Sequence, residues 1–137
     1  MPFFQEATFH DRQSMESAIP QSTVSLTFVD VVGATITTKD LSQDGTYLVL
    51  TPILVQSSLN NTLASFRITL DGNQIGDIST IELKIKEQDV GTTFTGTLTG
   101  VSTGQILQLQ YATDKGTLTL EEFSFAVDGI PTSRVVE

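Results

Sequence analysis

The segment from Asp44 to Ser58, DGTYLVLTPILVQSS, alternates like a β-strand but is largely apolar on both of its faces. Successive side chains of a strand point to opposite sides of the sheet. One side carries Tyr47, Val49, Thr51, Ile53 and Val55, and the other carries Leu48, Leu50, Pro52 and Leu54. A strand in an antiparallel sandwich needs only one apolar side. We therefore expect protein, rather than water, to cover the second side.

From Thr23 onward most of the chain shows the same period of two, which is typical of half-buried strands. The further predicted strands are TVSLTFV, GATITT, ASFRITLDG, TIELKIKE, TTFTGTLTGV, QILQLQYAT and GTLTLEEFSFAV. In TVSLTFV the residues predicted inside are Val24, Leu26 and Phe28. In TIELKIKE they are Ile81, Leu83 and Ile85. Asp-Gly pairs at Asp44 and Asp71 mark turns between them. Many short strands without a long helical pattern predict an all-β sandwich or barrel, built as one domain.

Two positions interrupt this alternation. In the last segment the apolar residues change phase, from Leu118 and Leu120 to Phe123, Phe125 and Val127. Either a β-bulge at Glu121-Glu122 returns all five to one face, or the strand passes from one sheet to the other. In the opening segment, Pro52 has no amide hydrogen to donate, which predicts a bulge or a locally unpaired stretch there.

Residues 1–22 are polar and irregular, unlike the rest of the chain. Three phenylalanines, Phe3, Phe4 and Phe9, favour an arm that docks on its own domain or on a neighbour, because disordered tails are usually poor in aromatic residues. A disordered terminus is the alternative, and a short helix over Asp11 to Ala18 also fits the pattern. The predicted organisation is an N-terminal arm, 1–22, followed by the sandwich, 23–137.

The composition excludes several classes of function. The net charge is −9, from 16 acidic and 7 basic residues, and the basic residues are scattered. Phosphate contacts need clustered Lys and Arg, so we predict no nucleic-acid partner and no binding to anionic membranes. The absence of cysteine excludes a disulfide framework and a thiol nucleophile. We expect neither a signal peptide nor a membrane-spanning helix.

Two patterns resemble chemical sites. His10, the single histidine, stands in the expected arm, whereas a catalytic triad needs a histidine held rigidly against both partners. Asp71, Asn73, Gly76 and Glu82 match the first, third, sixth and twelfth positions of a calcium-binding loop. The fifth position, Ile75, has no side-chain oxygen, and the flanks are predicted strands rather than helices. We therefore predict a hairpin turn at Asp71, no metal, no cofactor and no enzyme activity.

The order of the segments resembles the jelly roll of the tumour-necrosis-factor and complement-C1q class. DGTYLVLTPILVQSS resembles the central strand of that class, FRITLDGNQI the strand that follows, STGQILQLQYAT a late strand and LEEFSFAV the closing strand. The stretch TFVDVVGATITTKDLSQDGTYLV is similar to small structural domains of tailed-phage virions, such as head fibres and capsid decoration proteins. The resemblance extends from Thr23 to Val127, although the glycine of the closing strand is delayed here.

This resemblance implies a homotrimer in which each sandwich contributes one sheet face to an interface as apolar as a cut core. The predicted interface residues are Tyr47, Leu48, Val49, Leu50, Tyr111, Phe123 and Phe125, and the predicted capsid anchors are Phe3, Phe4 and Phe9. The implied function is a non-enzymatic phage virion protein, made in the host cytoplasm, that decorates a capsid or forms a head fibre. Its partners would be itself and the major capsid or other virion proteins. The alternative is a fibre-tip module that binds a host receptor or glycan.

Overall fold

The computed structural model describes residues 10–41 and 45–131 of the chain. Within these ranges the regular secondary structure consists of β-strands alone. The strands are β1 (Asp11–Ser17), β2 (Gln21–Thr23), β3 (Val29–Thr37), β4 (Gly45–Ser57), β5 (Thr62–Leu70), β6 (Asn73–Leu83), β7 (Val90–Val101), β8 (Ile106–Thr113) and β9 (Leu118–Pro131).

The strands form two antiparallel sheets that enclose one core. Sheet A has the order β1-β9-β4-β7, with β2 also pairing with β9, and sheet B has the order β3-β8-β5-β6. Most neighbouring strands are distant in the sequence, whereas β5 and β6 form a tight hairpin in which Leu70 pairs with Asn73. The all-β sandwich predicted from the alternation is confirmed.

The core is built from alternate residues of the strands, as the period of two requires. In β4 every odd-numbered residue from Gly45 to Ser57 is buried, whereas the even-numbered residues are half-buried or exposed. Residues predicted to lie inside other strands, such as Ile36, Phe66 and Leu107, are also buried in this core. The odd-numbered side of the opening segment therefore fills the sandwich.

The β-bulge predicted at Glu121-Glu122 is present in β9. The pairing of β4 with β9 passes from Leu54↔Glu122 to Val55↔Leu120, so Glu121 is an extra residue opposite β4. Because of this bulge, the apolar residues on both sides of it face the core: Leu118, Leu120, Phe123, Phe125 and Val127. The alternative, a passage between sheets, does not occur, since β9 stays in sheet A along its length.

Pro52 interrupts the pairing of β4 on one side only. The ladder between β4 and β9 passes from Leu50↔Ala126 to Ile53↔Phe123 without pairs at the two residues between. The ladder between β4 and β7 is continuous there and includes Pro52. The predicted unpaired stretch is therefore confirmed towards β9, and β4 remains a single long strand.

Two of the predicted strands extend too far along the sequence. In TVSLTFV only Thr23 and Val29 belong to strands; residues 24–28 connect β2 to β3, and Val24 and Leu26 are exposed there. Ile85, predicted inside, lies beyond the end of β6 and is also exposed. In both places the apolar alternation continues past the last residue that pairs with a neighbouring strand, so the side chains have no core to enter.

Residues 11–23 belong to the sandwich instead of forming a separate arm. β1 pairs with β9 from Asp11↔Gly129 to Ser17↔Phe123, and β2 pairs with the earlier part of β9. The helix predicted over Asp11 to Ala18 is therefore wrong, because these residues complete the ladder of β9. The segment was expected to dock either on its own domain or on a neighbour, and residues 11–23 dock on their own domain.

A buried carboxylate holds β1 in place. Asp11, Gly129 and Tyr47 lie in one row across β1, β9 and β4. A Cβ atom at Gly129 would lie 2.4 Å from the Tyr47 ring, so the ring lies across this glycine and its hydroxyl donates a hydrogen bond to Asp11. Asp11 also accepts a hydrogen bond of 2.8 Å from the backbone N–H of Lys39. The carboxylate therefore ties β1 to β4 and to the segment that follows β3.

We expect Asp11→Ala to lower the free energy of unfolding by about 3 kcal/mol, because it leaves the Tyr47 hydroxyl and the Lys39 amide without their acceptor. Urea denaturation followed by circular dichroism measures this change. Arg12→Ala, an exposed change on the same strand, is the matched control and should cost no more than about 0.5 kcal/mol. Equal losses in the two variants would contradict the role of the buried carboxylate.

Alkaline pH should destabilise the fold through Tyr47. Burial, followed by the hydrogen bond to Asp11, raises the pKa of the Tyr47 hydroxyl well above its usual range. A group with a raised folded-state pKa stabilises the protein below its unfolded pKa, about 10 for tyrosine, and this contribution is lost as the pH rises further. The melting temperature of the wild type should therefore fall more steeply between pH 9 and 11, roughly one unit either side of that value, than that of Tyr47→Phe. Parallel falls would contradict this expectation.

Candidate functional site

Five of the seven predicted interface residues lie in the core of the single chain. Tyr47, Val49, Tyr111, Phe123 and Phe125 are each at most 6% exposed. Their strands point them between the two sheets, where they pack against the chain's own residues. These five residues are therefore corrected from interface to core. The sequence does not distinguish the two sides of β4, because both are apolar.

The other two predicted residues, Leu48 and Leu50, lie on the outer face of sheet A and are 51% and 50% exposed. They occupy the middle of that face, because β4 lies between β9 and β7. Their neighbours across the strands include Ala126 of β9 and Thr95 and Thr97 of β7. These five residues are called the leucine face below.

The leucine face is a shallow depression of about 700 Å³ with charged groups on one side. Arg12 of β1 and Asp128 of β9 form an ion pair there, with 3.4 Å between Nε and Oδ1. Nδ1 of His10 lies 3.3 Å from the same carboxylate oxygen. An apolar centre with a polar rim is the usual anatomy of a protein–protein interface.

The outer face of sheet B is different, because its polar side chains form hydrogen bonds with one another. Nε of Arg67 donates to Gln110 at 2.8 Å, and Gln110 donates to Asp30 at 2.7 Å. Farther along the same face, Thr35 donates to Gln108. This network crosses β3, β8 and β5 and is suited to contact with water. Leu63 and Ile106 are also exposed on this side of sheet B, so the two outer faces differ at their centres, where sheet B carries the polar network and sheet A carries Leu48 and Leu50.

The residues considered for catalysis or metal binding have structural roles. His10 contacts the exposed rim carboxylate of Asp128. Asp71 and Gly72 form the predicted hairpin turn, with φ angles of 51° and 89°, and the Asp71 carboxylate accepts a 2.9 Å hydrogen bond from the backbone N–H of Ile106. Among residues 10–41 and 45–131, no group of three or more His, Cys, Asp or Glu residues is arranged to hold a metal ion.

The predicted capsid anchors, Phe3, Phe4 and Phe9, lie outside the described residues. Their role remains a prediction from the sequence. In the part of the chain that the structure describes, no helix has the length and apolar character needed to cross a membrane.

Comparisons with known proteins relate the chain to others by fold. No protein-family model matches the sequence, and no curated protein matches it. Dimeric latent PorU from Porphyromonas gingivalis is similar over 89% of this chain and 13% of that chain, with 8% identity and a TM-score of 0.60. The protein of T=1 particles derived from infectious bursal virus is similar over 89% of this chain and 32% of that chain, with 12% identity and a TM-score of 0.59.

A third solved structure matches along nearly its whole length. Eiger TNF from S. frugiperda is similar over 93% of this chain and 98% of that chain, with 12% identity and a TM-score of 0.53. The chain spans less than a third of PorU and about a third of the viral particle protein. At these identities the similarity establishes the fold alone. That fold is the jelly roll, shared with a TNF ligand and with viral capsid proteins, as the sequence resemblance implied.

Proposed function

We propose that the chain is a non-enzymatic structural protein of a phage virion that assembles as a homotrimer through the leucine face. One observation carries this proposal. The half-exposed leucines Leu48 and Leu50 lie together on the outward side of β4, an inner strand of sheet A, where a subunit contact would bury both. Obligate homo-oligomer interfaces have this apolar character, whereas a face kept in water is expected to resemble that of sheet B.

Leu48 and Leu50 face outward because of the packing inside the sandwich. Tyr47 and Val49, which alternate with the leucines, are fixed in the core, and the Tyr47 hydroxyl is bonded to Asp11. A shift of β4 by one residue would bury the leucines and expose the tyrosine. The chain therefore presents its second apolar side to the outside in a single, well-defined register, as a repeated subunit contact requires.

The anchoring part of the proposal rests on residues 1–9. β1 enters the edge of sheet A at Asp11, beside the charged rim of the leucine face. Nine residues of extended chain span about 30 Å, which is enough to reach a neighbouring protein. Phe3, Phe4 and Phe9 would supply the apolar contacts, in a capsid protein or another virion component.

The trimer is tested by substitutions on the two outer faces. Leu48→Asp and Leu50→Asp should each convert the protein from a trimer to a monomer, because a carboxylate would lose its hydration in the interface. Leu63→Asp is the matched control, since Leu63 is 43% exposed on β5 of sheet B. It should leave assembly unchanged. Light scattering during size-exclusion chromatography distinguishes three chains from one chain of 14.8 kDa.

Two outcomes would contradict the trimer. If the wild-type protein is a monomer at micromolar concentration, the leucine face forms no stable subunit contact. A trimer that survives Leu48→Asp and Leu50→Asp but is lost in Leu63→Asp places the contact on sheet B. Circular dichroism of each variant verifies that the sandwich is still folded.

Removal of residues 2–9 tests the anchor. The truncated protein keeps β1 and should remain a folded trimer, but it should no longer sediment with virus particles in a lysate that contains them. A triple substitution of Phe3, Phe4 and Phe9 by serine should have the same effect without shortening the chain. Particle association at the full-length level in both variants would contradict anchoring by this segment.

A further inference from the structure

A second cavity, of about 150 Å³, lies between the two sheets on the inward side of β4. It is next to β6 and β7, which are the last strands of their sheets. Its apolar lining comes from both sheets and includes Val49, Phe66, Ile75, Phe94, Leu98 and Leu109. This inward position separates it from the leucine face, which lies on the opposite side of β4.

One buried polar side chain points into this cavity. Thr51 is 2% exposed at an inward position of β4, and its Oγ1 atom has no hydrogen-bond partner among the described residues. The buried hydroxyls of Thr38 and Ser57, by contrast, are both hydrogen-bonded. Valine would have the same shape without an unpaired polar atom. The hydroxyl of Thr51 therefore has no role in holding the described fold together.

An inward position on β7, at the open edge of the sandwich, has no side chain. Gly96 pairs with Val49 and lies between the inward residues Phe94 and Leu98. A Cβ atom at Gly96 would meet no atom within 4 Å, and the backbone there is not in the left-handed region. Neither backbone conformation nor crowding requires this glycine. Glycine inside a strand weakens the strand and often marks a place where a ligand approaches.

The edge of sheet B is irregular next to the cavity. The pairing of β5 with β6 passes from Phe66↔Ser79 to Ile68↔Ile75, so 76–78 stand opposite the single residue Arg67. Gly76 and Asp77 of this bulge line the cavity. The β6 bulge therefore forms part of the cavity lining at the edge of sheet B.

We propose that this cavity binds a small neutral molecule, mostly hydrocarbon and about the size of one aromatic ring, with a single hydroxyl group that pairs with Thr51. A cavity of about 150 Å³ with aliphatic and aromatic walls accommodates benzene in another protein. Polar side chains also line the cavity: Arg67, Asp77, Ser79, Thr95 and Thr97. Thr51 itself pairs with Phe94 across the strands, and a charged group beside this ring is disfavoured, because its desolvation would not be compensated. Among the polar side chains that line the cavity, the hydroxyl of Thr51 is buried and has no hydrogen-bond partner among the described residues, so it is expected to set the place of the ligand's polar atom.

Phenol and toluene test this proposal, because they differ only by a hydroxyl in place of a methyl group. Thr51→Val makes the matching change in the protein. The wild type should bind phenol, and Thr51→Val should weaken phenol binding about tenfold, as expected for the loss of one buried hydrogen bond, while toluene binding stays the same or tightens. NMR titration of the methyl groups of Val49, Leu98 and Leu109 measures the affinities and locates the ligand. Thr93→Val, on the outer side of β7, is the control and should change neither affinity.

Gly96→Val gives an independent test, since its side chain would occupy the cavity and suits a strand. This variant should melt at a higher temperature than the wild type and should no longer bind phenol. The proposal is overturned if the wild type binds no phenol, or if phenol binding persists in folded Gly96→Val. It is also overturned if Thr51→Val weakens phenol and toluene equally, or neither of them. No weakening of either ligand is the result expected if Thr51 pairs only with water.

Discussion

The hydrogen bond from Tyr47 to Asp11 across Gly129 is the interaction on which the rest of the architecture depends. It fixes β4 with its odd-numbered residues inside, because the tyrosine ring lies over a glycine and its hydroxyl reaches a carboxylate two strands away. It also holds β1 at the edge of sheet A and, through the Lys39 amide, joins that edge to the end of β3. Because this side of β4 faces the core, Leu48 and Leu50 lie on the outer face of sheet A.

The two outer faces of the sandwich provide the clearest link between structure and function. Sheet B presents a hydrogen-bonded network around Arg67 and Gln110, which is compatible with solvent. Sheet A presents leucines in its middle and charged residues at one side. Jelly rolls with a related fold occur in a TNF ligand and in viral particles. The proposed subunit contact on sheet A depends on this difference between the two faces.

Alternation in the sequence was sufficient to predict the sandwich and to reduce the phase change in β9 to two alternatives, a bulge or a passage between the sheets, because both follow from which residues need to be buried. It did not predict β1, since DRQSMES has little apolar periodicity and becomes a strand by pairing with β9. It also did not identify which side of β4 faces inward. The cavity depends on Thr51 and Gly96 lying near each other on neighbouring strands, and this proximity is set by the register of β4 and β7, which a single sequence does not reveal.

The bulge in β9 lies beside the break between β1 and β2. β1 pairs with 123–129 and β2 pairs with 118–120, in registers that differ by one residue. The segment 18–20, which contains Pro20, lies between β1 and β2 and passes Glu121 and Glu122 of β9. On the other side of β9, β4 shifts its register at the same level. β9 therefore has one residue more than β4 at this level, and the N-terminal segment has one residue more than β9, since 18–20 pass only Glu121 and Glu122. Each extra residue lengthens one strand relative to the next, so the length of chain needed to cross sheet A at this level increases from β4 to β9 and again to the N-terminal segment.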